Sequence, residues 1–301
     1  MAPPQTPGAP FGRLLTAMIT PMTGDGSLDD AGVQAVATNL VDAGNDGLVI
    51  SGTTGESPTT SDEEKDRLLR GVIEAVGDRA HVVAGVGTND TAHSIELAKQ
   101  AEKAGASGLL LVTPYYSKPP QAGLLEHFRR IADATGLPVM LYDIPGRSAV
   151  PIKTDTLLRL AGHERIVAVK DAKGDLYETS RVLAGSDLAV YSGEDALNLP
   201  LLAIGAVGMV SVVAHVCTDR YVAMLHAVDG GDLAHARRIN ASVLPAVRGI
   251  MTRTQGAIMV KAALQLLGVI EHRTTRPPLI DATTDEVDLL KQDLAEAGLR
   301  R

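Results

Sequence analysis

Eight short apolar runs recur through the first three-quarters of the chain, each followed by a longer stretch with apolar residues at helical spacing. The runs are 14–20, 47–51, 81–86, 108–113, 138–144, 166–171, 188–192 and 207–212. They are nearly continuous in apolar character, the pattern of parallel strands covered on both faces. Between them lie helix signals. Ser61 and Glu64 form a capping box ahead of Leu68, Leu69, Val72 and Ile73. Asp90 or Thr91 opens the next helix, with Ile95, Leu97, Ala98 and Ala101 behind it. Gly44, Gly105 and Gly136 each stand just before a strand and are expected to close the preceding helix. Eight such units predict an α/β fold of the (β/α)8 TIM-barrel type. A doubly wound sheet usually has fewer strands and often a glycine-rich nucleotide turn.

After Asp229-Gly230-Gly231 the strand signals stop. Residues 232–250, 255–267 and 283–297 read as helices, the last opening with a Thr283/Glu286 capping box. The expected organisation is a loose Pro- and Gly-rich arm over 1–12, a catalytic barrel over 13–230, and a C-terminal helical appendage over 231–301 packed on the barrel. The arm carries Pro3, Pro4, Pro7 and Pro10 and no apolar targeting core.

Composition narrows the function. With 45% apolar and 21% charged residues, a 301-residue chain builds a sizeable core and is not disordered. The net charge of −8 excludes nucleic-acid binding through bulk charge. A single cysteine, Cys217, excludes an intrachain disulfide and a cysteine-rich zinc site, and fits a reducing cytoplasm. Residues 196–216 carry no Asp, Glu, Lys or Arg, yet Asn198, Pro200, Gly205, Gly208, Ser211 and His215 interrupt them. They are expected to form a buried helix and strand rather than a membrane span.

In a barrel the chemistry gathers at the C-terminal ends of the strands. Lys170 stands inside the apolar run IVAVKDA. Burial disfavours the ammonium, and a neutral amine attacks carbonyls to form a Schiff base. The competing reading is a buried lysine paired with Asp171, which strand alternation turns to the opposite face. Tyr142 offers a strand-end phenol for proton transfer, or a core tyrosine with one hydrogen bond. Thr53 and Thr54, between glycines, suit a backbone nest for a small carboxylate. Arg147, after a Pro-Gly turn, is either a carboxylate clamp or a solvated arginine. Glu56, Glu194 and Asp195 could pair as in a glycosidase. Against that, the chain has no Trp and two Phe for stacking sugars, and Glu194-Asp195 suits a helix opening. Phosphate-loop, zinc-helix and nucleophile-elbow motifs are absent, and Gly85–Asp90 lacks the third glycine of a dinucleotide turn.

The segments VISGTTGES, VTPYYSKPP, LYDIPGR, VAVKDA and YSGEDA, in this order, resemble the dihydrodipicolinate synthases of the pyruvate-dependent class I aldolase and lyase superfamily. The resemblance runs from about Leu14 to the C-terminus. It implies condensation of pyruvate with aspartate-4-semialdehyde through a lysine Schiff base, a step of lysine and diaminopimelate biosynthesis, with no metal or organic cofactor. Lys170 would be the Schiff-base lysine and Tyr142 the proton-transfer tyrosine. Thr54 would link Tyr142 to Tyr116 of a neighbouring subunit. Thr53 and Thr54 would hold the carboxylate of pyruvate, Arg147 that of the semialdehyde, and Val210 would lend backbone to the pyruvate pocket. A cytoplasmic homotetramer, a dimer of dimers, is implied. Sialic acid lyases and keto-deoxy-sugar aldolases share the lysine and tyrosine; Arg147 and the paired threonines favour the synthase. A non-catalytic barrel binding a small acid is the alternative outside enzymes.

Two positions depart from the family. Asp143 stands where Asn is usual, placing a negative charge near the arginine, and Gly146 where Ser is frequent. Members inhibited by lysine use a cleft matching Ser57, Asp62, Lys65, Asn89, His93 and Tyr115. Here an acidic position holds His93, which should weaken binding of a cationic amino acid.

Overall fold

The structure, a computed structural model, describes residues 8–299. Eight parallel strands close into a barrel in chain order: β1 (Leu14–Ala17), β2 (Gly47–Ile50), β3 (His81–Gly85), β4 (Gly108–Val112), β5 (Val139–Asp143), β6 (Ile166–Asp171), β7 (Ala189–Ser192) and β8 (Gly208–Ser211). All eight predicted strands are present; β6 matches its run at both ends, and the other seven are trimmed by one to three residues where the chain turns into the loops. The last strand pairs with the first, Val210 opposite Leu15, so no sheet edge is left.

Helices α1 (Asp30–Asp42), α2 (Asp62–Val76), α3 (Thr91–Ala104) and α4 (Gln121–Asp133) follow the first four strands. The one-turn α5 (Pro145–Ser148) and α6 (Thr154–Leu160) follow β5; α7 (Leu176–Gly185), α8 (Asn198–Ala203) and α9 (Ala214–Asp229) follow the rest. The Ser61/Glu64 capping box forms, Asp90 caps α3, and Gly105 ends α3 in the left-handed conformation. Gly136 does not close its helix: α4 ends at a cap on Ala134, and Gly136 sits two residues on.

The appendage comprises α10 (Leu233–Val247), α11 (Gly256–Leu266) and α12 (Thr284–Glu296), with α12 opening on the Thr283/Glu286 box. Its core, including Val243, Met259, Val260, Leu290 and Leu294, is continuous with that of the barrel. No helix among the described residues is long and apolar enough to cross a membrane. Residues 196–216 form α8, β8 and the first turn of α9, a helix and strand as expected from their interruptions.

Residues 9–12 of the expected loose arm are docked on the barrel. Positions 1–7, with Pro3, Pro4 and Pro7, lie outside the described residues. Phe11, however, is fully buried; its N–H donates to the Tyr191 hydroxyl (3.3 Å), and that hydroxyl donates to Gly12 O (2.9 Å). Burying one phenylalanine is worth about 2–3 kcal/mol, enough to dock a short segment.

Candidate active site

The register of β5 and β6 sets Tyr142 opposite Lys170 and Asp143 opposite Asp171. Strand alternation then sorts the two pairs onto two faces. Tyr142 and Lys170 enter a cavity of about 320 Å³ at the C-terminal mouth, alongside Ala17 of β1, Val49 of β2 and Leu110 of β4. Asp171 serves the other face. It accepts from Thr179 Oγ1 and from Lys173 N–H (2.9 Å), so the lysine–aspartate pairing does not occur.

Lys170 is buried and makes no ion pair among the described residues. Its Nζ lies 4.2 Å from the centre of the Tyr142 ring. Burial lowers its pKa to about 8, against an upward pull from Asp195 and Glu194. Burial also pushes the Tyr142 phenol well above its usual range, so it stays protonated. Gly193 gives the lysine its room: a Cβ there would come within 2.8 Å of Lys170 Cγ.

The Gly52–Glu56 turn closes through Glu56 N–H to Thr53 O (3.1 Å) and Ser57 N–H to Gly52 O (3.3 Å). Both threonines line the cavity. Of the two, the Thr53 side chain is the one that bears on the Tyr142 phenol, drawing its pKa down against the effect of burial, whereas the expected relay ran through Thr54. The expected Val210 is buried in β8 and does not line the cavity; Val212, just beyond the strand, does. Arg147 lies on α5 rather than in an open Pro-Gly turn, exposed at the cavity wall. Among the described residues, no three His, Cys, Asp or Glu side chains converge as a metal site needs.

Of the three carboxylates that suggested a glycosidase, Glu194 lines the cavity, while the other two have other partners. Glu56 is buried against Lys261 of α11. Asp195 is buried at the start of a short turn: Oδ1 accepts from Ser211 Oγ and Tyr221 Oη (3.1 Å), and Oδ2 from the N–H groups of Val212 (2.9 Å) and Val213 (3.2 Å). It ties the mouth of β7 to that of β8. Asp143 also differs from expectation. It faces away from Arg147, accepting from Ile152 N–H (3.0 Å) with Lys173 Nζ 3.6 Å away.

With this geometry in view, comparison with known proteins is decisive. The model of the dihydrodipicolinate synthetase family matches residues 10–297. The chain belongs to that family. The 4-hydroxy-tetrahydrodipicolinate synthase of Kineococcus radiotolerans is 67% identical over 97% of this chain and 95% of its own length. Among solved structures, dihydrodipicolinate synthase of Cyanidioschyzon merolae with lysine bound superposes with a TM-score of 0.94 at 40% identity, covering 96% of this chain and 99% of that one. The chloride-inhibited synthase of Acinetobacter baumannii, complexed with pyruvate, gives 0.92 at 34% identity over 96% of this chain and 99% of its own.

Of the residues assigned to the family's lysine cleft, Asp62, Lys65 and His93 come together. His93 Nε2 lies 2.8 Å from Asp62 Oδ2, and Lys65 Nζ lies 3.8 Å from Asp62 Oδ1 and donates to Thr60 O (2.5 Å). Ser57 and Tyr115 line a second cavity of about 180 Å³ that shares Thr53, Tyr142 and Arg147 with the first. Asn89 is exposed just before α3. Tyr116 is 89% exposed, with φ of +73°, and touches neither cavity of its own chain. Lys261 went unread in the sequence, although it is the sole charge in the apolar helix GAIMVKAALQL, the same signal that marked Lys170.

Proposed function

We propose that the chain is a 4-hydroxy-tetrahydrodipicolinate synthase that condenses pyruvate with aspartate-4-semialdehyde. One observation carries the reading: a buried lysine without an ion pair lies against a buried tyrosine in a cavity at the barrel mouth. The full-length likeness to synthases supports it.

The neutral amine of Lys170 attacks C2 of pyruvate. The carbinolamine loses water, with Tyr142 passing protons to the departing oxygen, and a protonated imine results. That imine draws electrons from the neighbouring methyl group, which releases a proton to give the enamine. The enamine attacks the aldehyde carbon. The semialdehyde's amine then displaces Lys170 at C2, closing the ring and freeing the enzyme. Thr53 and Thr54 hold the carboxylate of pyruvate. Arg147, with its planar fork, holds that of the semialdehyde. The imine serves as the electron sink, so the reaction calls on no cofactor.

Tyr116 reaches a neighbouring copy, where its hydroxyl meets Thr53 and completes the relay to Tyr142. Its near-complete exposure in the left-handed conformation, on a loop beside the site, supports this role. The assembly is a homotetramer, a dimer of dimers, working in the cytoplasm on small molecules without nucleic acid or membrane.

The test is reduction with borohydride in the presence of pyruvate, followed by mapping the added mass. Label on Lys170 is expected; folded protein without an adduct would overturn the reading. A coupled assay with aspartate semialdehyde and a dipicolinate reductase then separates the synthase from other 2-keto acid aldolases.

A further inference from the structure

Glu56 occupies an unfavourable place twice over. Its φ of +55° lies in the left-handed region that favours glycine, and its carboxylate is buried. Both costs are met by contacts from the far end of the chain. Oε1 accepts from Lys261 Nζ of α11, itself fully buried, and Oε2 accepts from Arg276 N–H (2.9 Å). Lys261 also donates to Thr274 O (2.7 Å). The Arg276 guanidinium extends the bridge to Gly26 O (2.9 Å), Thr59 O (2.8 Å) and Glu64 Oε2 (2.7 Å).

The backbone of Glu56 closes the turn that carries the two threonines, because its N–H bonds to Thr53 O. The preceding carbonyl, Gly55 O, accepts from Thr20 Oγ1 (2.7 Å). The N-terminal end of α11 meanwhile lines the cavity through Gly256 and Ala257. One helix thus walls the cavity and grips the threonine loop.

We propose that the buried Glu56–Lys261 pair, backed by Arg276, is a positioning device that sets Thr53 and Thr54 at the right distance from Lys170 to receive a carboxylate. The C-terminal appendage is then part of the specificity for 2-keto acids over simple ketones. This rests on the Schiff-base reaction proposed above. Neither Glu56 nor Lys261 touches substrate; they act through the threonines. A displaced loop weakens capture of the carboxylate and leaves the amine of Lys170 able to react with a ketone that has none.

The experiment compares borohydride trapping at Lys170 with pyruvate and with acetone. Lys261→Met alone leaves a buried carboxylate unpaired, which is costly, whereas neutralising both members of a buried pair is well tolerated. The deciding variant is therefore Glu56→Gln/Lys261→Met, with its melting temperature recorded. The expected result is folded protein whose pyruvate-over-acetone trapping ratio falls about tenfold or more, with acetone trapping within about twofold of the parent. A folded double variant that keeps the ratio overturns the inference. So does one that loses both trapping rates equally or fails to fold, since the pair would then serve the fold as a whole. A parent chain with no pyruvate adduct overturns the reaction itself and this inference with it; a labelled parent with an unchanged ratio in the variant overturns this inference alone.

Discussion

Lys170 and Tyr142 face one another across the β5–β6 ladder, the amine nitrogen 4.2 Å from the phenol ring centre, with no carboxylate among the described residues paired to the amine. Because the amine titrates near pH 8, the rate of imine formation is expected to rise about tenfold per pH unit below 8 and to level off above it. Trapping rates measured from pH 6 to 9 check this. The same burial opposes folding. The unfolded chain holds the Lys170 proton up to about pH 10.5, so stability rises between pH 8 and 10.5. Lys170→Met is expected to abolish the adduct and to stabilise the fold at pH 7 by up to about 3 kcal/mol, read by denaturant titration.

Thr53, rather than Thr54, bears on the Tyr142 phenol, lowering its pKa against the effect of burial, and is expected to be its partner in proton transfer. Tyr142→Phe is expected to lower kcat by roughly 100-fold or more, the usual loss for a proton-transfer group. Thr53→Val should follow it in kcat. Thr54→Val should act mainly on the KM for pyruvate. Steady-state kinetics of the three variants separate the roles, and equal kcat losses at the two threonines would refute the assignment.

Arg147→Ala is expected to leave the pyruvate adduct intact and to raise the KM for the semialdehyde roughly tenfold to a hundredfold, the effect of losing a charge-assisted hydrogen bond. Normal turnover by this variant would remove Arg147 from the site.

Asp143 carries its charge into a poor environment. Burial lifts its pKa to about 6, with the Ile152 N–H and Lys173 only partly offsetting. An acid raised on folding stabilises below its unfolded pKa of 3.8 and loses that stabilisation as pH rises through 6. Asp143→Asn keeps an acceptor for Ile152 N–H. It should therefore stabilise the chain by at most about 3 kcal/mol at pH 7 and by nothing near pH 4. Melting temperatures across that range test it.

Inhibition by free L-lysine is expected to be weak. Lys65 already places an ammonium against Asp62 and Thr60 O, and His93 occupies the other side of Asp62. A dose–response curve with half-inhibition below a millimolar would contradict this.

The barrel was legible because each strand is a nearly continuous apolar run and the helices between them are mostly amphipathic, so period and spacing alone count eight units. Lys170 was legible because it stands in an apolar run where strand alternation turns its neighbour Asp171 to the opposite face. Lys261 carries the same mark, but helices accommodate lysines at their surfaces, and nothing local tells that this face is buried against Glu56, 205 residues away. Thr53 and Thr54 are alike in chemistry, and only the fold of their turn decides which meets Tyr142. Phe11 sat among prolines and glycines that mark a loose segment, and its docking depends on Tyr191 of β7, 180 residues further along the chain. Asp143 looked like a charge beside Arg147, whereas the pleat turns it outward onto Ile152.

The Glu56–Lys261 contact has a further consequence during synthesis. The threonine loop emerges from the ribosome early, but its clamp is not translated until 205 residues later, and the β1–β8 seam waits for Ser211. A nascent or prematurely terminated chain that stops short of α11 therefore carries Lys170 and both threonines, yet holds that loop only by its own turn and Thr20, without the grip on Glu56 from Lys261 and Arg276.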